Sequence, residues 1–259
     1  MTHLESIQIH LNSKFADKLY DNLISNAEYY LPLIEIPNQH HLLLSIQHAM
    51  IPYSFYNINS SNNTLSFQLL YIPSGSVYQT NTIYIPTGNY NSIQLASHLT
   101  QQLTIFGFSI QYQQITNKFL FSNSTYNFRF LSTPSTCDNM IGLHSSNDLL
   151  NTSILQTLSS FNQINLATQS CLCITSNFNT GSINNGNQND MNIIASIPIM
   201  SPPYSMIYYQ NNSNFRVNLF DNNMSMINIQ IKDQSGNLID FNGIHYSITL
   251  QLDVVKFVD

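Results

Sequence analysis

Few side chains in this chain are of a type that does chemistry, and their spacing does not favour it. Cys171-x-Cys173 is the tightest pair. Side chains two apart on a strand share a face, so both thiols would point the same way. With His144 or His98 they could begin a zinc site, but the spacing is not that of a structural zinc motif and a third local ligand is missing. The simpler reading is two small buried apolar side chains. His40-His41 and His48 lie close in sequence. Adjacent residues of an extended chain point to opposite faces, so these read as interface or surface histidines rather than a metal site or pH switch. Acid–base catalysis needs carboxylates paired at one cleft. The acids here sit mainly in turns, at Asp190, Asp221, Asp233 and Asp240. Asp240, within Leu238-Ile239-Asp240-Phe241-Asn242-Gly243, is expected to bond local backbone. No G-x-S-x-G nucleophile elbow and no phosphate-binding glycine loop occurs, and glycine numbers only 8. The expectation is no enzyme: no catalytic, cofactor-binding or metal-ligating residue, and no cofactor.

The elements that would position any site are short strands. Apolar, β-branched and aromatic residues alternate with Ser, Gln, Asn and Thr between Asn- or Gly-rich turns. Ile7–Leu11, Tyr29–Ile36, Leu42–Ile46, Thr64–Ile72 and Thr80–Ile85 are the first such runs. Pro52 predicts an edge or a bend after Ile51. The period then changes. Ile93, Leu95, Ala96, Leu99, Leu103 and Phe106 follow helical spacing, with Asn89 or Asn91 to cap the start and Gly107 the end. Alternation returns at Phe108–Tyr112, Lys118–Phe121 and Phe128–Leu131, with a turn at Thr116-Asn117. A short helix is predicted over Pro134–Leu143, and a long surface loop over His144–Leu166.

Further strands are predicted at Ser170–Thr175, Ile193–Ile199, Tyr204–Tyr209, Phe215–Leu219 and Met226–Ile231. Asn177–Asp190 is low in complexity and reads as an exposed loop. Asp233–Asn237 is a hairpin turn. Ile244–Phe257 puts Ile244, Tyr246, Ile248, Leu250, Leu252 and Val254 on one face and should be a central strand. About a dozen strands with one or two helices define an all-β sandwich or barrel.

Composition narrows the class of function. Of 259 residues, 43% are hydrophobic and only 8% charged, against roughly 25% in ordinary domains. Polarity comes from 35 Asn and 32 Ser. Disorder is excluded by the apolar content. Seven scattered cations make no basic face for nucleic acid and no polybasic membrane anchor. No apolar run is long enough for a transmembrane helix, and no secretory signal is visible at the start. Three cysteines fit a reducing compartment rather than a disulfide scaffold. From Ile36 to Asn117 there is no Asp, Glu, Lys or Arg. Soluble monomers keep charge on all their faces, so neighbouring subunits are expected to cover much of this stretch. Codon bias toward A and T would enrich Asn, Ile, Tyr and Phe as well, but Lys is equally A-rich and is scarce. The 15 Tyr, set among Asn and Ser, suit a neutral recognition surface, either a sugar-binding face or a subunit interface.

Several runs resemble one known family. They are Ile9-His10-Leu11-Asn12-Ser13-Lys14-Phe15-Ala16-Asp17, Leu44-Ser45-Ile46 with Ala49 to Ile58 and Asn62-Asn63, and Ile85-Pro86-Thr87-Gly88-Asn89-Tyr90 followed by Leu95, Leu99 and Leu103. Lys118-Phe119-Leu120-Phe121, Met140-Ile141-Gly142-Leu143, Ile194-Ala195-Ser196-Ile197-Pro198 and Asp233-x-x-Gly236 to Gly243 continue the series. In this order they resemble penton or minor capsid proteins of virophages, polinton-like viruses and related large double-stranded DNA viruses. The resemblance implies an antiparallel jelly-roll β-sandwich with a small α+β insertion. The sandwich is expected over 1–87 and 167–259, and the helix-containing insertion over 88–166. It further implies a structural protein of the virion, most simply the homopentameric penton of an icosahedral capsid, assembled inside the infected host cell. Its partners would be itself, the major capsid protein and other minor capsid proteins, with no direct nucleic acid and no transmembrane segment. Another minor capsid or cement protein, or a glycan-binding β-sandwich on a virion spike, are the alternatives.

Overall fold

A computed structural model describes residues 2–35, 40–70, 76–143, 149–150, 157–167, 169–178, 180, 192–220 and 223–256. The first strands are β1 (Thr2–Asn12), β2 (Lys18–Leu19), β3 (Asn26–Glu35) and β4 (His41–Pro52). Next come β5 (Thr64–Leu70), β6 (Val77–Tyr84), α1 (Ser92–Leu103), β7 (Phe108–Gln113), β8 (Lys118–Asn123), β9 (Asn127–Leu131), β10 (Leu149–Leu150) and β11 (Thr157–Ser159). Then follow β12 (Cys171–Ser176), β13 (Ile193–Pro198), β14 (Met206–Gln210), β15 (Val217–Leu219), β16 (Asn223–Lys232) and β17 (Ser247–Lys256). They form two compact units: Met1–Phe55 with Gln169–Asp259, and Tyr56–Thr168.

The first unit is built from two antiparallel sheets. One has the order β1-β17-β4-β14, with β15 also on β4; the other runs β13-β12-β16-β3-β2. The main strands in chain order are β1, β3, β4, β12, β13, β14 with β15, β16 and β17. The sheets then read first-eighth-third-sixth and second-seventh-fourth-fifth. This interleaving of two Greek keys is the jelly roll. Alternation makes its core. Leu42, Leu44 and Ile46 of β4 and Ile248, Leu250, Leu252 and Val254 of β17 turn inward from one sheet. Ile227, Ile229 and Ile231 of β16, with Ala27 and Tyr29 of β3, line the other inner face. Each such Leu or Ile contributes about 1.5–3 kcal/mol by leaving water. In β4 the inward residues change from 42, 44, 46 to 49 and 51. A register shift against β17 between Thr249 and Leu250 absorbs Gln47 as a bulge and keeps Ala49 and Ile51 inside. β17 is central, as its pattern predicts, although Ile244 precedes the strand and is exposed. β4 is also central, and Pro52 is its last residue.

The second unit has its own core. Its sheets run β10-β9-β5-β6 and β11-β8-β7. Phe67, Phe108, Phe119, Phe121, Phe128 and Phe130 meet beneath Leu95, Leu99 and Leu103 of α1. The Phe67–Phe108 and Phe121–Phe130 rings lie edge-on at 5.2 and 4.7 Å, the geometry that aromatic quadrupoles prefer. Asn91 and Gln94 form the capping box of α1. Gly107 closes the following turn at φ 82°. Thr100 Oγ1 donates to Ile110 O at 3.1 Å and accepts from Ile110 N at 3.0 Å, tying α1 to β7.

Three expectations differ from the observed elements. Residues 56–87 belong to the second unit, because β5 pairs with β9 and β6 rather than with a jelly-roll strand. Pro134–Leu143 forms successive turns, not a helix. Ser135 Oγ accepts from Ser66 N and donates to Leu131 O, while the Thr136 and Cys137 amides both bond Thr64 O, so the segment is drawn along the edge of β5. The region expected to be a loop from His144 to Leu166 contains β10 and β11, and the buried Ser160 Oγ bridges Phe119 N and Ile141 O. Most of the Asn-rich run 177–190 lies outside the described residues.

Candidate assembly surface

The residues singled out for chemistry are dispersed. Cys137 is buried in the second unit, and burial pushes its thiol up to about 12. Cys171 and Cys173 share the outer side of β12, where Cys173 faces Lys232 and Ser196 on the neighbouring strands. His98 sits on α1 beside the Tyr90 ring at 5.8 Å, and His144 lies outside the described residues. Among the described residues no three His, Cys, Asp or Glu side chains are placed to hold a metal ion. Asp233 organises its turn, accepting from Ser235 N and Asn237 N at 2.8 Å each. Asp240 accepts from Asn242 N at 2.8 Å. Asp190 and Asp221 are outside the described residues.

What the fold brings together is a surface. On the outer face of the β1-β17-β4-β14 sheet, cross-strand pairing aligns His10, Thr249, His48 and Gln210 in one row. Asn12, Ser247, Met50 and Tyr208 make the next. His10 Nδ1 lies 3.1 Å from Thr249 Oγ1, and Tyr208 Oη 3.3 Å from His48 Nδ1. The carboxylate on this face is Asp253, which is fully buried. It pairs with Arg216 at 3.0 Å and accepts from Gln251 at 2.7 Å and from the Ser6 hydroxyl. The outer face of the other sheet differs. There Lys18 stacks on Tyr20 at 4.1 Å, Tyr20 Oη donates to Glu28 at 2.7 Å, and Lys232 lies beside Cys173. Of the neutral row, sequence reasoning singled out only His48. The polar alternation Ser247, Thr249, Gln251 signals an outward face, but which strands flank it is a matter of pairing.

Among the described residues, shallow grooves indent the second unit. One, of about 580 Å³, is lined by Asn89, Tyr90, Ile93, Gln94, His98 and Gln101 among others. Its polar groups serve the local fold: Asn89 Oδ1 accepts from Asn57 N, Tyr90 Oη donates to Pro86 O, and Gln94 Oε1 accepts from Asn91 N. The other, of about 430 Å³, lies beside Gly107 and Asn123. Asn123 likewise binds the loops around it, through Phe106 O, Thr125 N and Tyr126 N.

The strand order therefore defines a jelly-roll protein with a second unit inserted between its third and fourth main strands. Over 97% of its length this chain is similar in structure to the mavirus penton protein, of which it covers 100%, at 10% sequence identity and a TM-score of 0.58. A chain in the cryo-EM structure of the Sputnik virophage is also similar, at 13% identity, 98% of each chain and a TM-score of 0.49. By sequence, no family profile and no curated protein matches. At such identity the mavirus likeness is one of fold.

Proposed function

We propose that this chain is a structural virion protein, the penton that closes the five-fold vertices of an icosahedral double-stranded DNA virus. The observation that carries this reading is the jelly roll with its inserted unit, a fold shared end to end with the mavirus penton protein. Composition supports it. A shell subunit buries large lateral faces, where unpaired charges are costly but Asn, Ser, Gln and Tyr bond neutral partners and water. Five copies in a ring use one heterologous interface that closes on itself. The uncharged stretch from Ile36 to Asn117, which runs through β4, β5, β6, α1 and β7, contributes much of that lateral contact. The partners are sister copies, the major capsid protein and other minor capsid proteins. The protein resides in the virion capsid, assembles in the infected host cell and performs no catalysis. With seven Lys and Arg it does not grip nucleic acid. Among the described residues no helix is long and apolar enough to cross a membrane.

The mass of the purified full chain in solution tests the vertex role. Native mass spectrometry or sedimentation at micromolar concentration is expected to give a pentamer. A strict monomer would overturn it in favour of a cementing role.

A further inference from the structure

We propose that the groove along the outer side of α1 binds a neutral sugar, with Tyr90, Ser97, His98 and Gln101 as its contact residues. The inference goes beyond the shell reading and does not depend on it. It concerns the second unit alone, and in a shell it requires only that sister copies leave this concavity open.

At about 580 Å³ the groove has the size of a small-molecule site. Gln94, Ser97, His98 and Gln101 follow one side of α1 over a rise of about 10 Å. The Tyr90 ring stands at the N-terminal end. It is held by the bond from its hydroxyl to Pro86 O, by Gly88, whose added Cβ would meet the ring at 3.4 Å, and by the His98 ring 5.8 Å away. A platform fixed in advance costs little to order on binding. Ser97 and Gln101 are exposed, and their polar groups have no partner among the described residues. His98 Nε2 is buried and also unpaired, as is Gln102 Oε1 one turn further along α1. Gln102 Nε2 donates to Tyr84 O at 3.2 Å, which leaves its oxygen without a partner. Buried polar atoms left unbonded are costly. A free hydroxyl, a free amide and an imidazole nitrogen that can donate or accept suit ligand hydroxyls, which both give and take hydrogen bonds.

Charge and polarity select the ligand. No residue lining the groove is Asp, Glu, Lys or Arg, and none occurs anywhere from Ile36 to Asn117. A phosphate or carboxylate finds no cation here, and an ammonium group or metal ion finds no carboxylate. A wholly apolar ligand would strand the amides and the imidazole. A peptide docks through a deep apolar anchor or an open strand edge, and the side of a helix in a shallow groove offers neither. A sugar matches both kinds of surface. Its hydroxyls meet Ser97, His98 and Gln101, and its C–H face covers the Tyr90 ring and Ile93. Neutral amides hold such a ligand without taking a charge out of water.

A printed array probed with the full chain tests this. It carries neutral hexose and N-acetylhexosamine oligosaccharides, their sialylated and sulfated forms, and a Gly-Ser peptide. At least one neutral oligosaccharide should retain the protein, with no gain from sialyl or sulfate groups and no retention by the peptide. Ser97→Arg fills the groove, and His98→Phe keeps a ring but removes its nitrogens. Each should weaken retention more than about tenfold, whereas Gln111→Arg, exposed on β7, should leave it unchanged. Circular dichroism confirms that each variant folds, and Gln101→Ala replaces either one that does not. Absence of retention on every neutral oligosaccharide, preference for the acidic forms or the peptide, or retention that survives both variants overturns the site. Sedimentation of Ser97→Arg keeps the two readings apart. An unchanged mass with lost sugar binding is expected; a variant that dissociates shows that a sister copy fills the groove, which overturns this proposal and leaves the shell reading standing. A wild-type monomer that binds the sugar supports this site while the vertex role falls.

Discussion

At the scale of single residues, the ion pair between Arg216 and the fully buried Asp253 concentrates the electrostatic stake of a chain otherwise poor in charge. Removing one partner strands the other without water. Arg216→Met should lower stability by about 3 kcal/mol, the low end for a buried pair because Arg216 is 30% exposed. Urea denaturation measures this, and a loss below 1 kcal/mol would mean that Gln251 and Ser6 suffice for the carboxylate. Buried acids that stay neutral make a second stake. Burial raises Tyr29 from 10.0 to about 12 and Cys137 from 9.0 to about 12. It holds Tyr246, hydrogen-bonded to Tyr29 at 3.2 Å, well above its ordinary value. The unfolded chain releases these protons first. Their contribution is therefore intact below about pH 9 and is lost as pH climbs toward 12. Stability in urea should decline steadily between pH 9.5 and 11.5, and a flat profile would contradict the burial of these groups.

At the scale of elements, β4 carries two phases of one alternation, joined by the bulge at Gln47. Deleting Gln47 would remove the extra residue and leave one continuous alternation, in which Ile46, Ala49 and Ile51 all still face the core. The deletion variant is expected to keep a native-like near-ultraviolet circular dichroism spectrum, and an insoluble or molten product would show that the fold requires the bulge itself. Much at this scale was legible in the sequence. The helix with its Gly107 closure, the inward face of β17 and the turn at Asp233 all follow from local pattern, whereas of the two caps offered, Asn89 and Asn91, the structure uses Asn91. Pro134–Leu143 misled because a proline and an apolar run suit a helix, whereas the amide and hydroxyl partners offered by β5 are distant in sequence. β11 was hidden because its three residues carry no periodicity and gain their order from β8.

At the scale of the whole molecule, a net charge of −6 opposes self-association while neutral contacts favour it. Raising NaCl from 0.05 to 0.5 M screens the repulsion and leaves neutral contacts intact. The association constant should therefore rise modestly with salt. A fall, measured by sedimentation, would mean that ion pairs carry the contact.

The amino-acid sequence by itself determined that the chain is a β-rich body with one amphipathic helix and scarce in ions. Those properties are written in local alternation, caps and composition, which need no partner to be read. Only the tertiary structure decided that residues 56–87 leave the sandwich for the second unit, and that His10, Thr249, His48 and Tyr208 share one face. Strand pairing joins residues more than 200 positions apart, as between His10 and Thr249. Period two says which way a side chain points, but nothing about which strand lies beside it.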